Sequence, residues 1–164
     1  MEYIEHPWDA IYNKESKILI LGSMPSPKSR EVNFYYGHPQ NIFWKTLAQV
    51  LEDDEPENSP DARREFLIKN KIAVWDVLAS CEIKGARDES IKNAKVNDFH
   101  DILNNSKIKA IFTTGKAATE LFNKKCSERV GREAIYLPST SPANRAQQAK
   151  SEFMEKWRQI KLYL

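Results

Sequence analysis

The sequence predicts an α/β protein in which helices cover both faces of a parallel sheet. Three observations carry this reading. Four short apolar segments, residues 17–21, 72–75, 108–113 and 134–137, alternate with stretches of helical period. The run Ile18-Leu19-Ile20-Leu21 is apolar at every position, as a central strand covered on both faces must be. Long polar stretches follow the first and fourth segments directly, on the rim where such sheets bind ligands.

Taken in order, residues 1–16 form an N-terminal segment with Trp8 as an anchor into the core. After strand one, residues 22–44 lack an apolar period, and a loop that long in a small domain is usually functional. A helix then runs from about Asn41 to Leu51, presenting Phe43, Leu47 and Val50. Residues 52–58 form an acidic surface loop containing Pro56. Ser59-Pro60-Asp61 starts the next helix: a hydroxyl cap, a proline at the first position and an acid at the positive end of the dipole. That helix reaches Lys69 and buries Phe66 and Leu67. Strand two, Ile72 to Trp75, ends at Asp76, a residue suited to capping a helix or to touching a ligand. Residues 81–97 are polar and predict a long connection with a turn at Gly85 and a short helix. Asn97-Asp98 caps a helix presenting Phe99, Ile102 and Leu103. Strand three, 108–113, turns at Thr114-Gly115 into a helix with Leu121 and Phe122 inward. Strand four, 134–137, precedes a Ser/Pro turn. A final helix, 146–162, places Ala149, Phe153, Trp157 and Ile160 on one face.

With 164 residues the chain is one domain, with no run approaching the ~20 apolar residues of a membrane span. Its first residues are acidic and mixed, unlike a signal peptide. Cys81 and Cys126 stand alone, so free thiols, a reducing compartment and a cytoplasmic location are expected. A net charge of +2 leaves the choice of partner open; what matters is that Lys28, Arg30 and Arg145 cluster at two particular stretches.

Those stretches are Gly22-Ser23-Met24-Pro25-Ser26 with Phe34-Tyr35-Tyr36-Gly37-His38-Pro39-Gln40-Asn41-Ile42-Phe43-Trp44, and Leu137-Pro138-Ser139-Thr140-Ser141-Pro142-Ala143-Asn144-Arg145. They resemble the first and second motifs of the uracil-DNA glycosylase superfamily, most closely its hypoxanthine-DNA (deoxyinosine) glycosylase branch. The mismatch-specific uracil/thymine glycosylases come next. The ordered pair spans most of the chain. The resemblance implies a three-layer α/β/α sandwich with a central four-stranded parallel sheet. It also implies hydrolysis of the N-glycosidic bond of a deaminated base, most directly hypoxanthine, with DNA as partner. Neither metal nor cofactor is called for, and a monomer is expected. Two cysteines exclude the four-cysteine iron–sulfur cluster found in some branches. Excision of uracil or thymine from mismatches with guanine, and DNA binding without turnover, are the alternative readings.

Base removal needs an extruded nucleotide, an aromatic floor, a donor for the departing base and a clamp on the backbone. The matching motif position makes Tyr36 the stacking floor, with Phe34 as fallback and Gly22, Ser23, Met24 and Pro25 around the base. The same match makes Asn41 the catalytic amide; asparagine there also suits a helix N-cap, and the two roles are compatible. Ser26, Lys28, Ser29, Arg30 and His38 are candidate DNA contacts in the first motif. Ser139, Thr140, Ser141, Pro142, Ala143, Asn144 and Arg145 are candidates in the second, as clamp and minor-groove wedge. Met24 departs from the superfamily pattern. It stands where most members hold a water-activating Asp or Asn, and a thioether cannot polarise water. The resemblance gives the hypoxanthine branch a non-ionisable residue there too, which leaves main-chain groups of the Gly22 to Ser26 loop as an alternative holder of the water.

Overall fold

The computed structural model describes residues 1–164. In chain order the elements are β1 (Glu2–Glu5), β2 (Ile18–Gly22), α1 (Pro27–Val32), α2 (Phe43–Leu51), α3 (Pro60–Lys69), β3 (Ile72–Asp76), β4 (Leu78–Lys84) and β5 (Arg87–Val96). There follow α4 (His100–Asn104), β6 (Ala110–Thr114), α5 (Lys116–Lys125), α6 (Ser127–Val130), β7 (Ile135–Leu137), α7 (Arg145–Gln148) and α8 (Ser151–Arg158). Short 3-10 turns, Pro142–Asn144 and Gln159–Tyr163, flank the last two helices.

The expected parallel sheet is present, in the order β3-β2-β6-β7. Its three-layer packing follows from the period of two in its strands. Ile18 and Ile20 of β2, Ile72 and Val74 of β3, and Phe112 of β6 point to one face. There they meet Phe43 and Leu47 of α2, Phe66 and Leu67 of α3, and Phe153 and Trp157 of α8. Leu19, Leu21, Ala73 and Ile111 point to the other face and meet Ile102 of α4 and Ala118 and Phe122 of α5. Each fully buried aliphatic side chain contributes about 2 kcal/mol, which offsets about 1–2 kcal/mol of backbone ordering per residue. Ser59 caps α3 as its sequence predicts, accepting the Ala62 N–H at 3.1 Å.

Three expectations are corrected. Residues 81–97 are not a polar connection with a short helix. They fall largely in β4 and β5, an antiparallel hairpin that turns at Gly85-Ala86 and pairs with β1 in a second sheet of order β1-β4-β5. Leu78, Cys81 and Ile83 of β4 help cover the second face of the parallel sheet. The final helix is interrupted: Lys150 is extended, and Ala149, expected inside, is exposed, whereas Phe153, Trp157 and Ile160 are buried as expected. The stretch 22–44 is not wholly a loop, because Pro27–Val32 forms α1.

Candidate active site

All four parallel strands deliver their carboxyl ends to one edge. At that edge lies a cavity of about 300 Å³, at the small end of the range for ligand sites. Gly22 ends β2, Asp76 ends β3 and Thr114 ends β6, and all three line it. The second motif leaves β7 on the same edge and contributes Ser139, Thr140, Ser141, Pro142 and Ala143.

The first motif is folded by its own hydroxyls. Ser26 caps α1, accepting the Ser29 N–H at 3.1 Å and donating to Ser29 Oγ at 3.0 Å. Ser29 Oγ in turn accepts the Gly37 N–H at 3.1 Å, which closes the loop over α1. Beyond it, Tyr36 is left-handed at φ 50°, an uncommon conformation for a bulky residue and one found at constrained functional sites. Phe43 holds its ring by stacking, with centroids 3.8 Å apart and planes 6° from parallel. Tyr36 also lines the cavity, and its stacking on Phe43 occupies one face of the ring. Burial raises the phenol pKa, Asp76 raises it further, and the Thr114 hydrogen bond opposes both.

Asn41 lines the cavity at the start of α2. Its Oδ1 accepts the Phe43 N–H at 2.9 Å, and its own N–H donates to the His38 carbonyl at 2.9 Å. The acceptor end is thereby committed to the helix, and the Nδ2 donor end is left for a ligand. His38 lines the cavity too, with Nδ1 accepting the Gln40 N–H.

The second motif is a self-bonded turn. Ser139 Oγ accepts the Ser141 N–H, and Asn144 and Gln148 donate to the Ser139 carbonyl. The buried Trp157 indole donates to the Pro138 carbonyl at 3.0 Å and ties the turn to α8.

Of the residues expected from sequence, Gly22, Ser23, Met24, Pro25, Ser26, Ser29, Tyr36, His38, Asn41 and Ser139 through Ala143 converge on this cavity. Phe34 does not: it is 6% exposed and packs against Trp44 in the core. Lys28, Arg30, Asn144 and Arg145 also lie outside the cavity lining. Arg30 donates to the Pro25 carbonyl and to Glu2, each at 3.4 Å, and Lys28 pairs with Glu31. Arg145 is exposed on α7.

The cavity also holds Asp76, which the sequence offers as a helix cap or a ligand contact, and groups that the sequence does not mark. Asp76 caps no helix. It accepts from His6 Nε2 at 2.7 Å, in a pair whose side chains are 5% and 6% exposed. Asp88, from the unforeseen hairpin, accepts from Ser23 Oγ at 2.9 Å. Thr114 and Tyr35 complete the lining near Tyr36. For Thr114 the signal was its place at a strand end; for Asp88 there was none.

Comparison with known proteins interprets this edge. A family model described as the uracil DNA glycosylase superfamily matches residues 10–161. Two relatives carry the name hypoxanthine DNA glycosylase. One, from Methanosarcina barkeri, is 33% identical over 82% of this chain and 85% of its own length. The other, from Methanosarcina acetivorans, is 31% identical over 87% of this chain and 89% of its own. A solution NMR structure from Methanosarcina acetivorans, assigned provisionally as a uracil DNA glycosylase, superposes with a TM-score of 0.79 at 29% identity. It covers 98% of this chain and 99% of that one. The fold and its rim cavity therefore define a DNA glycosylase, a hydrolase that cuts the bond between base and sugar. Within that class, the chain belongs to the uracil DNA glycosylase superfamily. No helix is long and apolar enough to cross a membrane.

Proposed function

We propose that this glycosylase removes hypoxanthine from deoxyinosine in DNA. One observation carries the reading: Tyr36 and Asn41 line one cavity on the edge where the two motifs meet. A purine extruded into it has the Tyr36 ring to stack on and the Asn41 Nδ2 to meet. Hypoxanthine presents acceptors at O6 and N7 and becomes an anion as it leaves. An oriented amide donor then gains strength as the bond breaks, which is the requirement for catalysis by electrostatic stabilisation. The names of the two Methanosarcina relatives support the choice of base. The Ser139 to Ala143 turn clamps the backbone through its main-chain amides and hydroxyls, with Lys28, Arg30 and Arg145 adding charge outside the cavity. The enzyme acts as a monomer, and two buried free thiols fit a cytoplasmic protein.

The test uses duplexes carrying inosine, uracil or a G:T mismatch, incubated with the chain and then cleaved with alkali. Cutting at inosine above the other two is expected. Preferential cutting at uracil replaces hypoxanthine with a pyrimidine. Binding without cutting replaces the enzyme with a DNA-binding relative.

A further inference from the structure

Hydrolysis needs a group that takes a proton from the attacking water, and Met24 leaves that role unfilled in the motif loop. We infer that Asp88 fills it: the β4–β5 hairpin brings to the cavity the carboxylate that the motif lacks. The inference rests on the glycosylase reading above.

The geometry is specific. Asp88 Oδ1 lies 2.9 Å from the hydroxyl of Ser23, the residue preceding Met24. The carboxylate therefore stands beside the turn where the superfamily resemblance places a water-activating side chain. Gly85 and Ala86 of the hairpin turn line the same cavity as Asn41 and Tyr36. The other groups are committed. Asp76 is bound to His6 at 2.7 Å in a nearly solvent-free pair. The Asn41 acceptor is spent on the Phe43 N–H and His38 Nδ1 on the Gln40 N–H. Asp88 has only a neutral hydroxyl as partner, and its residue reaches solvent at the rim, from which water enters.

In the step, a water lone pair forms the bond to C1′ while the C1′–N9 bond breaks and its electrons leave with the base. One water proton passes to the Asp88 carboxylate and from there to solvent. The purine anion, held by Asn41, takes up a proton from solvent. Several charged groups surround Asp88. Partial desolvation of the carboxyl raises its pKa, the Ser23 hydrogen bond opposes this, and Glu89 on its own strand and Asp76 on β3 raise it further. Cys81 of β4 lies within its electrostatic reach and within that of Arg30. Glu120, Lys124 and Lys125 of α5 share the adjoining groove. The net upward shift brings the carboxylate closer to neutrality, which suits a general base.

The experiment compares the intact wild-type chain with Asp88→Asn, which keeps an acceptor oxygen for Ser23 and removes the base. Single-turnover excision is followed across pH on whichever of the inosine, uracil and G:T duplexes the wild type cuts, with Kd measured separately. The expected result is a loss of roughly 100-fold or more in rate, an unchanged Kd, and disappearance of the acid limb of the pH profile. Asp88→Glu recovers part of the rate. A rate within about twofold of wild type, or a loss that follows Kd with the acid limb intact, overturns the role of Asp88 alone. A wild-type chain inert on all three duplexes overturns the glycosylase reading and this inference with it.

Discussion

The main-chain N–H of Ile42 donates to the carbonyl of Thr140 across 3.1 Å. This bond joins the residue after Asn41 to the centre of the second motif, about a hundred positions along the chain. It follows from the parallel sheet: β2 and β7 point the same way, so the segments after them emerge on one edge. The segment proposed to hold the base and the segment proposed to hold the backbone are thus joined through main chain.

The first prediction separates the two jobs of Asn41. Asn41→Ala removes both the Nδ2 donor and the acceptor for Phe43, costing about 1 kcal/mol of stability and excision by about 100-fold or more. Asn41→Asp keeps the acceptor and places negative charge at the start of α2, worth about 0.5 kcal/mol, but presents an anion to a departing anion. It melts at or above the wild-type temperature and is nonetheless inactive. Melting curves beside single-turnover assays check this; wild-type rates in Asn41→Asp would remove the amide from the chemistry.

For Tyr36 the ring matters more than the hydroxyl. The Thr114 contact is long, 3.4 Å, whereas the ring stacks on Phe43 in a residue that lines the cavity. Tyr36→Phe is expected to keep kcat/KM within a few-fold. Tyr36→Ala loses a stacking partner worth about 1–3 kcal/mol, which is about 5- to 150-fold in kcat/KM on the inosine duplex. Equal losses in the two variants would move the function from the ring to the hydroxyl.

Gly22 is fixed by proximity. A Cβ there would stand 2.6 Å from Asp76 Oδ1 and 3.3 Å from Tyr36 Oη. The strand cannot yield, because Gly22 is in register with Asp76 in the β2–β3 ladder. Gly22→Ala therefore pushes Asp76 off His6 and disturbs Tyr36. The expected cost is about 1–3 kcal/mol, or roughly 3–10 °C in a chain of this size, with excision reduced as well. Calorimetry and the inosine assay read both; an unchanged melting point would show that the side chains have room to move.

How legible this was depended on where each segment draws its stability. β2 buries all five residues between two layers, and that requirement is written as an unbroken apolar run. β5 has no buried residue and is held by main-chain pairing with β4, so no hydrophobic period marks it. The hairpin was invisible for that reason, and Asp88 with it. Phe34 and Tyr36 are equivalent as residue types. The left-handed turn at Tyr36 sends one ring to the cavity while Phe34 stays in the core, a backbone choice that composition does not record. Ser26 and Ser29 read as phosphate ligands, but their hydroxyls also close the loop on itself, which spacing alone does not distinguish.

The last prediction concerns what Asp88 costs the fold. Although the residue as a whole is exposed, its pKa is raised above the ordinary aspartate range, chiefly by desolvation of the carboxyl where it meets Ser23 and then by Glu89 and Asp76. A carboxyl whose pKa is higher folded than unfolded favours the folded state only while protonated. Its contribution is complete below the unfolded value and is lost as pH rises through the folded one. At neutral pH the ionised group is therefore a liability, crowded by two acids and relieved by one hydroxyl. Asp88→Asn removes the charge and keeps the acceptor for Ser23, so it should melt above wild type at pH 7. The gap should close as pH falls below the ordinary aspartate range, where both side chains are neutral. Melting temperatures of the two proteins across that interval decide the matter. A variant less stable than wild type at neutral pH would mean that the charge is supported by its surroundings, and the proposed shift would have the wrong sign.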